Sequence, residues 1–217
     1  MQRLILASNT TFLDIPELNE HLDLQLEKAK ILYITTASNK VHDISYVNKN
    51  LSRVRDRNLI YEIYDIEGKS KDNLDKKLSD FDILHMEGGN TFHLLKTIYD
   101  TGFDKVLKKH IKRGLNYIGT SAGSYVMTPS IITATWNDRG FDRCGLIDLT
   151  ALSYVPFVLK CHYTEERKQS ILDNSKNLIY PLKILKDGQA IAVHGDKYKL
   201  IGEGSEITLE ILQNENV

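Results

Sequence analysis

The sequence holds few cysteines and few prolines, no long apolar run, and no excess of charge of either sign. Its two cysteines, Cys144 and Cys161, cannot build a disulfide framework and have no cysteine partner at metal-binding spacing, so both are expected as reduced thiols. Four scattered prolines, with no internal repeat or low-complexity tract, give no sign of a linker or a repeat array. No stretch approaches the ~18 apolar residues that cross a bilayer, and the apolar opening, residues 1–8, is too short for a secretory leader. A cytoplasmic protein is therefore expected. Basic and acidic residues number 28 and 29, for a formal charge of -1, which gives no electrostatic reason to expect a nucleic acid or an anionic membrane as partner.

What is present fits one core. A chain of 217 residues with 41% hydrophobic content is expected to form a single domain spanning 1–217. Short apolar runs at 3–8, 31–37, 59–66, 81–86 and 116–120 read as strands. Between them lie segments with helical spacing, such as Leu18, Leu22 and Leu26, or Val47, Leu51 and Val54. That alternation predicts an α/β fold with a largely parallel sheet and helices on both faces. Residues 90–114 form the longest helical region, with a break near Gly102 and Gly114 placed to cap its end. Further on, 131–135 and 155–162 read as strands and 164–172 as the start of a helix. Turn signals at Asp187-Gly188 and Gly195-Asp196 divide the tail into runs at 190–194, 197–201 and 207–212, an expected antiparallel meander at one edge of the sheet.

The most telling stretch is 116–127, NYIGTSAGSYVM. Gly119-Thr-Ser121-Ala-Gly123 is a G-x-S-x-G pattern between a strand and a helix, where a sharp turn lifts the serine hydroxyl out of the sheet and small neighbours relieve the crowding. An ordinary capped βα turn has the same composition, so the pattern needs support from the rest of the chain. The amide of Ala122, at the helix start, is placed to stabilise an oxyanion. A serine nucleophile needs a base, and that base an orienting carboxylate. Of the seven histidines, His21, His42 and His110 read as solvated, His85 as buried in a strand, His93 as lying on a helix face and His194 as part of the terminal meander. His162 ends a strand just before a polar loop, and in parallel sheets sites gather at the carboxyl ends of strands. Its neighbour Cys161 points to the opposite face and reads as core. For the acid, Asp138, Asp142 and Asp148 lie between the serine and His162, with Asp148 better explained as a turn or cap. The segment Glu87-Gly88-Gly89-Asn90-Thr91-Phe92 follows a strand and opens a helix. Its glycines let backbone N–H groups approach a ligand, and it matches neither a P-loop nor a dinucleotide fingerprint.

Taken together, Gly88-Gly89-Asn90-Thr91-Phe92, the Ser121 elbow, Asn137-Asp138, and His162-Tyr163 followed by Arg167 resemble the serine peptidase family that contains alpha-aspartyl dipeptidase (peptidase E) and cyanophycinase. The resemblance implies a three-layer, class I glutamine amidotransferase-like (flavodoxin-like) fold. It also implies a triad of Ser121, His162 and Asp138, with Asp142 or a glutamate as alternatives for the acid. By the same resemblance Gly89 and Ala122 form the oxyanion hole, Asn90 and Arg167 contact substrate, and no metal or cofactor is required. The expected partner is a small peptide, with N-terminal aspartate favoured; a homodimer is compatible with the chain. The sequence departs from the family's pattern at Glu87, where a further glycine is often found, and in a longer loop between Pro129 and Asp138. The alternatives are another serine hydrolase, such as an esterase, an amidase or an aspartyl-polymer hydrolase, and a non-catalytic small-ligand-binding protein.

Overall fold

A computed structural model describes residues 1–136 and 142–214. In chain order the first part consists of β1 (Arg3–Ala7), α1 (Leu18–Leu22), β2 (Lys30–Ile34), α2 (Ser45–Asp56), β3 (Ile60–Tyr64), α3 (Lys71–Leu78), β4 (Ile83–Met86), α4 (Thr91–Asp100), α5 (Phe103–Lys112) and β5 (Asn116–Thr120). The second part adds α6 (Ala122–Tyr125), β6 (Val158–Lys160), α7 (Lys168–Ser175), β7 (Leu182–Ile184), β8 (Ala190–His194), β9 (Lys197–Ile201) and α8 (Leu209–Asn214).

Seven strands form one sheet in the order β3-β2-β4-β5-β1-β8-β9. The first five are parallel, and β8 and β9 add an antiparallel edge. Strands β1, β4 and β5 are buried almost throughout, as expected when helices cover both faces. On one face Leu4, Leu84 and Tyr117 pack with Leu94 and Ile98 of α4 and Val106 of α5. On the other, Ile5, Ile83 and Ile118 share a core with Leu18 and Leu22 of α1 and Leu51 and Val54 of α2. Each fully buried aliphatic side chain of this kind contributes about 1.5–3 kcal/mol, so these stripes fix which helix covers which face.

The expected helix break falls at Gly102, whose φ of +67° separates α4 from α5. Gly195 and Asp196 form the two-residue turn between the paired His194 and Lys197. No helix among the described residues is long and apolar enough to cross a membrane.

Several local expectations are corrected. Of residues 131–135, all but Ile131 belong to a 3-10 helix, Ile132–Trp136, in which Thr135 Oγ1 donates to the Ile132 carbonyl. A β-branched composition suggested a strand, but local side-chain hydrogen bonding won. The strand near 155–162 is only β6, and it pairs in parallel with β7 in a separate two-stranded sheet. In the third run of the tail only Ile207 pairs, in an isolated antiparallel bridge to Ile184, and from Leu209 the chain is helical: Thr208 Oγ1 accepts the Ile211 N–H, and Leu212 of α8 joins Ile171 of α7 in a small third core. His21 and His110 are buried, the latter against Asp75 at 2.8 Å.

The topology brings two loops together. The register pairs Met86 with Gly119, so Glu87-Gly88 and Thr120-Ser121 leave the carboxyl ends of β4 and β5 side by side.

Candidate active site

Ser121 occupies the turn between β5 and α6 with φ +49° and ψ −106°, a conformation a non-glycine residue adopts only when its surroundings enforce it. The enforcement is visible. Its N–H donates to the Ala7 carbonyl at 3.0 Å, and its carbonyl accepts the Ser124 and Tyr125 N–H groups at 2.9 Å. The two glycines of the pattern are required by packing: a Cβ at Gly123 would lie 2.0 Å from the Met86 carbonyl oxygen, and one at Gly119 would lie 2.6 Å from the Gly123 backbone. The chain thus folds the elbow tightly onto β4 and directs the serine away from the sheet.

His162 follows β6, also with positive φ, at +60°. Tyr125 Oη accepts the Cys161 N–H at 2.9 Å, which ties the helix behind the serine to the segment carrying the histidine. Ser8, just after β1, accepts the His162 N–H at 2.9 Å, and Arg167 donates to the His162 carbonyl at 2.7 Å. With its backbone held on both sides, the ring places Nε2 3.0 Å from Ser121 Oγ and Nδ1 2.7 Å from Asp187 Oδ1.

Asp187 also accepts the Ser8 hydroxyl at 2.7 Å. Burial pushes its carboxyl upward, but the hydrogen bond and charge of His162, the Ser8 hydroxyl and the Arg167 charge outweigh that and hold it below its ordinary value. An ionised carboxylate only accepts hydrogen bonds, so it fixes the proton on Nδ1 and leaves Nε2 to accept from the serine. This is the arrangement in which imidazole can take a hydroxyl proton.

Beside them runs the glycine loop. Gly89, at φ +143°, passes so close to the 3-10 helix Thr36–Lys40 that a Cβ would lie 2.4 Å from the Ala37 carbonyl oxygen. Its amide N–H and that of Ala122 donate to no acceptor among the described residues. These free donors flank the serine in sequence and register, as oxyanion stabilisation requires. A cavity of about 400 Å³ opens here, its wall including Ser121, His162, Gly89, Glu87, Arg167 and Asp187.

Of the residues singled out from sequence, Ser121, His162, Gly89 and Arg167 line this cavity, and Ala122 sits directly behind the serine. Asn90 does not line it: its Oδ1 caps α4 by accepting the Phe92 and His93 N–H groups, and its Nδ2 donates to the Asp142 carbonyl. Asp138 lies outside the described residues. Asp142 accepts the Cys144 N–H and lines a different cavity, so it does not reach His162. The carboxylate on His162 is Asp187, which the sequence showed only as part of an Asp-Gly turn. A search for acids confined to the segment between serine and histidine passes over it. The available signal was an aspartate two residues after the short strand-like stretch Leu182-Lys183-Ile184-Leu185, where strand ends gather.

Comparison with known proteins bears on what such a site belongs to. The model of peptidase family S51 matches residues 4–201. This chain belongs to that family. An uncharacterized peptidase of Pasteurella multocida (strain Pm70) is 31% identical over 201 residues, covering 90% of this chain and 95% of its own. A second, from Listeria monocytogenes, is 30% identical with 90% and 96% coverage. Peptidase E of Shewanella amazonensis is 33% identical over 136 residues, 58% of this chain and 56% of that one. Among solved structures, a Listeria monocytogenes protein provisionally named a peptidase E superposes with a TM-score of 0.79 at 26% identity, covering 94% of this chain and all of the other. A peptidase from an acI-B1 Actinobacterium, 15% identical, shares the fold with a TM-score of 0.69. The S51 chain is accordingly a serine-type peptidase with the peptidase E fold.

Proposed function

We propose that this S51 peptidase hydrolyses small peptides through Ser121 as nucleophile, His162 as base and Asp187 as the acid that orients it. The observation that carries the reading is the continuous chain Asp187, His162, Ser121, with separations of 2.7 and 3.0 Å on three separate segments. His162 takes the proton of Ser121 Oγ as the oxygen attacks the peptide carbonyl, and the Gly89 and Ala122 amides stabilise the resulting oxyanion. The imidazolium then protonates the leaving amine, and water, deprotonated by the same His162, releases the acyl group. A cavity of about 400 Å³ suits a short peptide. Lys49 and Arg167 on its wall support an acidic first residue as the preferred substrate. The test is a panel of Asp-X and neutral dipeptides with wild type, Ser121→Ala and His162→Ala. The reading expects Asp-X cleavage in the wild type and its loss in both variants. Cleavage that survives Ser121→Ala would end it.

A further inference from the structure

Glu87 is the one carboxyl that the mechanism above leaves without a role although it lies on the wall of the same cavity. Its side chain is 1% exposed. Oε1 accepts from the Gly88 N–H at 2.7 Å, the Thr120 hydroxyl at 3.0 Å and Asn50 Nδ2 at 3.2 Å. Oε2 is buried with no hydrogen-bond partner, and no cationic side chain among the described residues forms an ion pair with this carboxyl. Burying a carboxyl and leaving one oxygen unsatisfied is costly, and the chain itself supplies no partner that would offset the cost. Burial, opposed by the Gly88 and Thr120 hydrogen bonds, pushes its pKa up to about 7, as expected for a carboxyl that lacks a counter-charge.

Resting on the peptidase reading above, we propose that Glu87 recognises the free α-ammonium group of the substrate and so restricts cleavage to the bond after the first residue. Position decides which ammonium. Glu87 bonds the residue before Ser121 through Thr120, and a Cβ on the next residue, Gly88, would lie 3.2 Å from Ser121 Cβ. The carboxyl therefore sits one residue back from the nucleophile on both strands. An α-ammonium is about 2.5 Å from the carbonyl carbon under attack, across two bonds. A lysine side-chain ammonium is six bonds from its own carbonyl and overshoots this point. Asn50 and Thr120 hold the carboxyl in place, so the ammonium meets a fixed acceptor whose buried Oε2 is unpaired and is uncovered by a small shift of the cavity wall. Lys49 and Arg167 on the same wall are the cations available to an acidic substrate side chain.

The test compares kcat/KM for each cleaved dipeptide with that of its desamino counterpart, aspartyl-leucine against succinyl-leucine for example, in wild type and Glu87→Gln. Fluorophosphonate labelling of Ser121 in both proteins reports the nucleophile separately. The expected result is a wild-type preference for the free amine of at least about tenfold, falling by about 10- to 100-fold in Glu87→Gln, the range of one charge-assisted hydrogen bond. A wild type that cleaves the desamino compound as well as the dipeptide overturns the proposal without recourse to any variant. So does an unchanged preference in Glu87→Gln, or labelling of Ser121 in a wild type that cleaves no free-amino peptide. In those cases the serine chemistry stands. A wild type that neither labels nor cleaves overturns the serine peptidase reading, and this proposal with it.

Discussion

Replacing Glu87 by glutamine should change how stability depends on pH, and the size of the change follows from the burial of the carboxyl. The folded pKa is about 7 against an ordinary 4.5. Between those values the folded protein holds a proton that the unfolded chain has released, so stability falls as pH rises through the window. Below it both states are protonated and above it both are ionised, so the full penalty is present above pH 7. At about 1.4 kcal/mol per tenfold change in proton affinity, the window is worth about 3 kcal/mol, of which about 2 to 3 fall between pH 5 and pH 8. Glutamine keeps the shape and carries no titrating proton. Urea unfolding of wild type and Glu87→Gln at pH 5, 6, 7 and 8 should show the variant gaining on the wild type by about 2 to 3 kcal/mol across that range. A stability difference that stays constant with pH would mean that Glu87 titrates normally, and the argument from its burial would fail.

Other positions give independent checks. Gly123→Ala, whose Cβ would meet the Met86 carbonyl oxygen at 2.0 Å, should lose about 2 kcal/mol or more in urea unfolding; wild-type stability would show that the elbow is not packed as described. Gly88→Ala brings a methyl to 3.2 Å from Ser121 Cβ without clashing with backbone carbons. It should leave stability within about 1 kcal/mol while slowing acylation by about tenfold or more, read from fluorophosphonate kinetics. Cys161, fully buried with its thiol pushed up to about 12 by burial, should stay unmodified by a thiol reagent at pH 8 until the protein unfolds, whereas the partly exposed Cys144 reacts in the native state. Rapid native modification of both would contradict the burial of Cys161.

The sheet was legible because its strands are nearly pure apolar runs and its helices carry clear stripes, signals that survive without tertiary context. The antiparallel edge was legible from a two-residue turn at Gly195-Asp196. Short segments were not: 131–135 and 207–212 contain the right residues for strands, yet most of each is helical, with Thr135 Oγ1 donating to the Ile132 carbonyl and Thr208 Oγ1 accepting the Ile211 N–H. In the site, Ser121 announced itself because a strained turn demands glycines at fixed offsets. His162 followed from its place at a strand end. Asp187 had no such signature, since a carboxylate that orients a histidine is defined by where β7 delivers it, and β7 is a three-residue strand in a minor sheet. Asn90 was ambiguous for the opposite reason: a helix cap and a ligand contact call for the same residue type, and in the structure its Oδ1 caps α4 while its Nδ2 donates to the Asp142 carbonyl.

The central claim is that Asp187, through His162, activates Ser121. The most direct measurement is the second-order rate of fluorophosphonate modification of wild type and Asp187→Asn, with the modified residue located by mass spectrometry. The account predicts an adduct on Ser121 and a rate lowered roughly 10³- to 10⁴-fold in Asp187→Asn, because the amide no longer holds the proton on Nδ1. An unchanged rate in a folded Asp187→Asn, or a large loss in Asp138→Asn instead, would contradict it.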